Sequence, residues 1–164
     1  MPNPYAGYTD ASEFVANYLY TQFKTNKASF TYTDPSTSTV YTVQDVWYGD
    51  QSGLIPHLPC LCVIPGPEQS VYNGVGGRPV RMTFQTFVMV YFGKITGDHQ
   101  MNVHASLSLA NVIKRFQNAD MTLGGNAIDV FCNAVDPGVA IRGGAMIDTT
   151  RMAFTTRTKV LLNP

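Results

Sequence analysis

The cysteines and histidines are the residues of this chain best suited to metal or nucleophilic chemistry. Cys60 and Cys62, with His57 before them, form the most metal-like group, but a Cys-x-Cys pair with no second pair downstream lacks the spacing of a zinc site. The same two cysteines are too close along an extended segment for an easy disulfide. We therefore expect reduced thiols on small side chains at the end of a strand.

The other candidates for chemistry also fail on spacing. His99 and His104 would stand about 140° apart around a helix, so they cannot chelate one metal from a single face. Cys132 lies in an apolar run, where a thiol usually behaves as a small hydrophobe. Gly74-Val75-Gly76-Gly77 precedes a strand and not a helix whose N-terminus could bind phosphate. We predict no catalytic residue, no metal and no cofactor.

Basic residues recur in the last predicted strand. Arg151, Arg157 and Lys159 share one face, because all three positions are odd-numbered in a segment of period two. A cationic stripe can contact nucleic-acid phosphates. It is more often the solvated side of an amphipathic strand, and no aromatic residues interleave with it to stack bases.

Two helices are predicted among the elements that position these residues. Asp10 and Glu13 have the spacing of a capping box, and a helix that ends near Asn26 is indicated by apolar residues at helical spacing, namely Phe14, Val15, Tyr18, Leu19 and Phe23. The second helix follows Asp98 and runs to about Ala119. Its apolar stripe is Met101, Ala105, Leu109, Val112, Ile113 and Phe116.

Strands occupy the interval between the helices. Their β-branched and aromatic content predicts strands at Phe30–Thr33, Val40–Tyr48 and Cys60–Ile64. Gly66 to Gly77 has little apolar content and predicts a long loop. Val80 to Phe92 alternates with period two over roughly 43 Å, at about 3.3 Å per residue, which is more than twice the length of a typical strand. We expect this strand to bend or to project beyond the core.

Two strands end the chain. We predict one at Ala127–Val135, a turn at Asp136-Pro137-Gly138, an extended excursion from Val139 to Gly144, and a final strand from about Met146 to Leu162. The order helix, three or four strands, helix, two strands predicts an α+β fold in which an antiparallel sheet packs with two helices. We expect residues 1–164 to form one domain with a long extended loop at about 65–78.

Charged residues are scarce. They make up 13% of the chain, about half of the roughly 25% usual in soluble domains, and eleven basic residues balance eleven acidic ones. Little net repulsion then keeps exposed apolar surface apart, which favours contact with copies of itself or with partners. A secreted or periplasmic monomer with a surface rich in Ser, Thr, Asn and Gln would have the same composition, so both interpretations stay open.

Neither a membrane span nor a signal peptide is expected. The longest apolar run, Phe87 to Phe92, is far shorter than the roughly 20 residues that cross a bilayer. The first residues, Met1 to Tyr5, lack the basic residues and apolar run of a signal peptide. We expect a protein that is made in the cytoplasm, in agreement with reduced thiols.

The chain resembles the tail terminator proteins of long-tailed bacteriophages. The resemblance rests on the helix start Ser12-Glu13-Phe14-Val15, on the long strand Arg81 to Val90 leading into a helix, and on the ending Asn133 to Gly138 followed by Arg151 to Phe154. It covers nearly the whole chain as an order of elements. It implies an N-terminal helix, an antiparallel sheet, a second helix and a closing strand pair.

The resemblance also implies a function. A terminator is a virion structural protein that forms a ring, six-fold in this family, on the last ring of the tail tube and stops its polymerisation. Its implied partners are copies of itself, the tail tube protein, a neck or connector protein and, if the tail contracts, the sheath protein. DNA would pass through the lumen without sequence-specific binding. The ring would be located at the tail–neck junction after synthesis in the host cytoplasm, and no enzymatic activity is implied.

We predict a partner interface that includes eight residues, Glu68, Val71, Tyr72, Arg78, Arg142, Arg151, Arg157 and Lys159. The alternatives are another head–tail joining or tail tube protein and, more distantly, a small soluble enzyme or ligand-binding domain. Leu54 to Arg78 is longer than a minimal hairpin requires. It is either an extension that reaches a partner or the sign of a different neck or tail component.

Overall fold

The computed structural model describes residues 11–50, 53, 55, 57–71, 79–95, 99–125 and 127–161. At 11, 68–71, 79–82 and 159–161 it describes the backbone alone. The described residues form two α-helices and seven strands. In chain order they are α1 (Ala11–Asn26), a short 3-10 helix (Lys27–Ser29), β1 (Thr31–Thr33), β2 (Val40–Thr42), β3 (Asp45–Tyr48), β4 (Cys60–Val71), β5 (Pro79–Lys94), α2 (His99–Asn118), β6 (Asp129–Arg142) and β7 (Ala145–Leu161). The α+β class is confirmed, but five strands precede α2 instead of three or four.

The strands form two sheets. β1 and β2 pair with each other, and a five-stranded sheet has the order β3-β4-β5-β7-β6. β3 runs parallel to β4, whereas the other neighbours in this sheet are antiparallel. The prediction of a purely antiparallel sheet is therefore wrong. Periodicity indicates a strand but not its direction, which is decided here by the connection after β3 that returns the chain to the same end of the sheet.

The predicted strand Val40–Tyr48 is in fact two strands that belong to different sheets. β2 pairs with β1 and β3 pairs with β4. Between them Val43 is buried, and its N–H donates to the carbonyl oxygen of Phe30 at 3.1 Å. The next residue, Gln44, donates to the carbonyl oxygen of Pro59 at 2.8 Å, so the chain changes partner at this point.

Both helices pack on one face of the five-stranded sheet. The apolar stripes predicted for α1 and α2 supply the helical side of this core, with Val15, Leu19 and Phe23 from α1 and Leu109 and Ile113 from α2 all buried. The predicted capping residues Asp10 and Asp98 lie outside the described residues. Alternate residues of β5 face the helices, because side chains of a strand point to opposite faces in turn, and this buried set is Phe84, Val88, Val90 and Phe92.

The central strands are long. β5 pairs with β7 from Pro79 opposite Leu161 to Lys94 opposite Ile147, with one register shift after Tyr91. The predicted strand Val80–Phe92 is therefore confirmed and extends further at both ends. β6 begins only opposite Arg157, so β5 and β7 continue past its first residue.

The first half of the loop predicted at Gly66 to Gly77 is a strand. β4 continues to Val71, opposite Arg81 of β5, and the register shifts between Pro65 and Glu68. A β-bulge accommodates the prolines there. Gly66 is required at the bulge, since a Cβ atom would lie 2.5 Å from the carbonyl oxygen of Gln85. Residues 72–78 lie outside the described residues.

The end of the chain is a tight hairpin. β6 runs without interruption through the predicted turn Asp136-Pro137-Gly138, which is therefore wrong. Proline is tolerated because β6 is at the edge of the sheet. The reversal occurs instead at Gly143 and Gly144, whose φ angles of 58° and 77° suit a two-residue hairpin turn.

A buried hydroxyl pair between α2 and β7 gives a test of this packing. Ser106 Oγ lies 2.7 Å from Thr150 Oγ1, and both residues are buried. Ser106→Ala or Thr150→Val should each cost about 1–3 kcal/mol, because one hydroxyl is left without its partner. The double variant should cost less than the sum of the two. Urea unfolding of all four proteins measures this, and strictly additive effects would contradict the pairing.

Candidate interaction surface

Three of the eight predicted interface residues, Arg142, Arg151 and Arg157, have side chains that the structure describes, and they are spread along the sheet. Arg142 lies at the end of the β6–β7 hairpin, opposite Ala145. Arg157 lies toward the other end of the sheet, and the backbones of Glu68 and Lys159 are found there too, opposite Phe84 and Arg81 of β5. Val71 is at that same end, but the side chains of Glu68, Val71 and Lys159, and all of Tyr72 and Arg78, lie outside the described residues.

The predicted arginine stripe exists, but its described charges are neutralised. Arg151 and Arg157 lie on the sheet face opposite the helices, which we call the outer face. Arg151 Nη2 is 3.3 Å from Asp136 Oδ2, and Arg157 Nε donates to Asp129 Oδ1 at 2.7 Å. Each aspartate is directly opposite its arginine in the β6–β7 register, and the hydrogen bond from Arg157 lowers the pKa of Asp129.

Of the predicted basic stripe, the two described side chains, Arg151 and Arg157, are both in ion pairs, which makes them poorly suited to bind a phosphate backbone. Nucleic-acid binding depends on basic side chains that are free to replace counterions. Arg151 also lies over the ring of Phe87, 5.4 Å from its centroid. The described part of the stripe consists of two solvated cross-strand ion pairs, Arg151–Asp136 and Arg157–Asp129, which we call the ionic ladder.

Arg142 is the centre of a polar cluster with Asp50 and Tyr91. Its Nη2 donates to Asp50 Oδ2 at 2.7 Å and to Tyr91 Oη at 2.9 Å, and Tyr91 Oη donates in turn to Asp50 Oδ1. The guanidinium carbon lies 5.4 Å from the centroid of the Tyr91 ring. Burial, followed by the hydrogen bond to Asp50, raises the pKa of Tyr91, so its hydroxyl stays protonated at neutral pH.

A second, smaller hydrophobic cluster lies near this polar cluster on the outer face. It is formed by the chain between β3 and β4, by β4 and β5, and by the start of β7, with the buried members Ile55, Cys60, Cys62, Tyr91 and Ile147. Ala140 and Ala145 of the hairpin pack against it. At this end of the sheet, the chain that connects β3 to β4 therefore covers part of the outer face, and the hairpin packs against the same cluster.

The same hairpin carries exposed apolar side chains on its other face. Val139, Ile141 and Met146 are 46%, 65% and 54% exposed. Ile141 is directly opposite Met146, and Val139 is two residues earlier on the same face of β6. We call these three residues the apolar row, and residues 138–148 the hairpin end. Exposed large apolar residues that stand together are a candidate contact surface.

Further exposed apolar residues lie along β6. Ile128 immediately precedes this strand and is 44% exposed, and Phe131 within it is 37% exposed. β6 is at the edge of the sheet, and its described charged side chains, Asp129, Asp136 and Arg142, are all in ion pairs. Edge strands of this kind are places where proteins meet partners.

Sequence reasoning missed the apolar row because it placed a turn at Asp136-Pro137-Gly138 and an irregular excursion after it. The signal that could have found the hairpin is Gly143-Gly144, a favoured pair for a two-residue turn. The alternating Val139 and Ile141 stand on one side of that pair, and Met146 on the other.

The cysteines and histidines do not converge. Cys60 and Cys62 are buried, Cys132 is half-buried, and all three are free thiols. His99 Nδ1 lies 2.7 Å from the buried Asp148, whereas His104 contacts the ring of Tyr32. Within the described ranges, no three side chains of His, Cys, Asp or Glu are placed to hold a metal ion.

No protein-family description matches the chain, and no curated protein matches it either. Of the helices in the described ranges, neither is long and apolar enough to cross a membrane.

The thiols should be slow to react in the native protein. The hydrogen bond with Cys62 and burial raise the pKa of Cys60, and burial raises the pKa of Cys132, so the reactive thiolate is scarce at pH 7–8 and increases as the pH rises. Mass spectrometry after iodoacetamide treatment should show Cys132 labelled before Cys60 and Cys62. Rapid labelling of Cys60 in the folded protein, or stoichiometric bound zinc, would contradict this.

Proposed function

We propose that this protein is a structural component of a phage virion. It forms a six-fold ring at the head-proximal end of the tail, ends polymerisation of the tail tube and joins the tail to the neck or connector. Its partners are copies of itself, the tail tube protein, the neck protein and, in a contractile tail, the sheath protein. The role is structural and not enzymatic.

The order of elements supports this proposal. An N-terminal helix, a sheet, a second helix and a closing strand pair are the elements implied by the resemblance to tail terminators. The chain has α1, strands β1 to β5, α2 and the β6–β7 hairpin in that general order, with more strands before α2 than expected. The parallel strand β3 is an addition to the antiparallel sheet that the resemblance implies.

The observation that carries the proposal is the apolar row. Three large apolar side chains, 46% to 65% exposed, stand together at one end of an edge hairpin. In a protein with so few charges, such a surface is stabilised by contact with another protein. Val139, Ile141 and Met146 are therefore the residues that we assign to subunit or tube contact.

The ion pairs of three arginines agree with a ring whose lining does not bind DNA tightly. Arg142, Arg151 and Arg157 each have an aspartate partner. DNA that must move through a ring during ejection should not meet a stripe of free cations, since each such contact would add to its affinity.

Removal of the protein tests its function as a terminator. Head-to-tail contacts that do not close extend a filament until a subunit with a different second surface ends it. A phage that lacks this protein should therefore yield heads without tails, together with tubes of abnormal length in electron micrographs. Head-attached tails of uniform length in its absence would rule the proposal out, and purified protein that assembles into long tubes alone would identify a tube protein instead.

Charged substitutions in the apolar row test the surface. Ile141→Asp with Met146→Lys should abolish tail capping, while the free energy of unfolding should change by no more than about 0.5–1 kcal/mol, because both side chains are largely in solvent and the two new charges are opposite in sign. Val40→Asp on β2, at a site 59% exposed, is the matched control and should cap normally. Complementation of the deletion and tail-length measurement give the readout, and normal capping by the double variant would remove the apolar row from the interface.

A further inference from the structure

We propose that Asp50, Tyr91 and Arg142 form a latch that fixes the hairpin end against the sheet and so sets the position of the apolar row. The three residues come from the chain after β3, from β5 and from the end of β6. Arg142 was predicted as a partner contact. The latch gives it a different role, that of a positioning residue within its own subunit.

The geometry of the guanidinium supports this role. Its Nη1 donates to the carbonyl oxygen of Ile141 at 2.9 Å, which ties it to the backbone of the apolar row. Its Nη2 donates to Asp50 and to Tyr91. One side chain therefore connects the hairpin backbone with two segments that are 92 and 51 residues away in the sequence.

Polar contacts matter at the hairpin end because apolar burial there is confined to its β7 side, where Ile147 is buried, whereas residues 138–142 of β6 bury no large apolar side chain. The residues that the hairpin places against the second cluster include the small Ala140 and Ala145, and β6 has a neighbouring strand on one side only. The helical layer gives little cover, since Ile141 and Met146 are more than half exposed. A segment with few buried apolar contacts opens locally at low cost unless other interactions hold it.

The latch is also accessible. The side chains of Asp50 and Arg142 are 43% and 20% exposed, whereas Tyr91 is buried. An exposed ion pair alone contributes little, but here both charged groups meet a buried hydroxyl that would otherwise lack a partner. The ion pair between Asp50 and Arg142 can therefore break while the core that contains Tyr91 stays folded.

Hydrogen exchange of the free protein tests the latch. Asp50→Asn, Tyr91→Phe and Arg142→Gln should each speed the exchange of backbone amides in residues 138–148 by roughly tenfold, the effect expected when one hydrogen bond to a charged group is lost from a local opening equilibrium. Arg142→Lys keeps the charge but not the fork of donors, so exchange should lie between the wild type and Arg142→Gln.

Matched controls come from the same sheet. Asp136→Asn and Arg151→Gln make the same charge changes in an ion pair whose partners are 57% and 52% exposed, and exchange in residues 138–148 should stay as in the wild type. Exchange unchanged in Asp50→Asn and Tyr91→Phe overturns the latch, as does equal acceleration by the control variants. Should Arg142→Gln fail to fold, Asp50→Asn and Tyr91→Phe still test the latch, because each leaves Arg142 in place.

The consequence for assembly rests on the proposed function. If the latch positions the contact surface, latch variants with a faster-exchanging hairpin end should cap tails less efficiently than the control variants. Normal capping by such variants would overturn the link between latch and assembly. Failure of the proposed function itself is seen separately, as uniform head-attached tails when the protein is absent.

Discussion

The pairing of β5 with β7 is the constraint on which the rest of the structure depends. These two strands lie side by side from Pro79 and Leu161 at one end to Lys94 and Ile147 at the other. β4 and β6 are added to their outer edges. The helices cover one face of this ladder, and the second hydrophobic cluster covers part of the other.

The two faces of the sheet are covered in different ways. α1 and α2 cover one face and form the large core with alternate residues of β4, β5 and β7. The outer face has a small cluster around Tyr91 and a ladder of ion pairs between β6 and β7. Exposed ion pairs of this kind add little stability. Their effect is to neutralise the few charges of the edge, which leaves apolar side chains as its distinguishing feature.

This arrangement gives the proposed function a physical basis. A ring subunit needs a folded core that does not depend on its neighbours and a contact surface that becomes buried only on assembly. The helix-covered face supplies the first. We propose that the β6–β7 hairpin supplies the second, since Val139, Ile141 and Met146 are exposed on one face, and Arg142, on the other, binds Asp50 and Tyr91.

Both helices and the long strand β5 could be predicted from the sequence, because periodicity is a local property that each segment carries. The tertiary structure alone decided that β3 is parallel to β4, that Val40–Tyr48 is divided between two sheets, and that Pro137 lies within a strand. Each of these depends on which segment becomes the neighbour: the same proline that would end a central strand is accepted at an edge. The partners of Arg142, Arg151 and Arg157 were hidden for the same reason, since their aspartates are 15 to 92 residues away and meet them only through strand register and chain crossing.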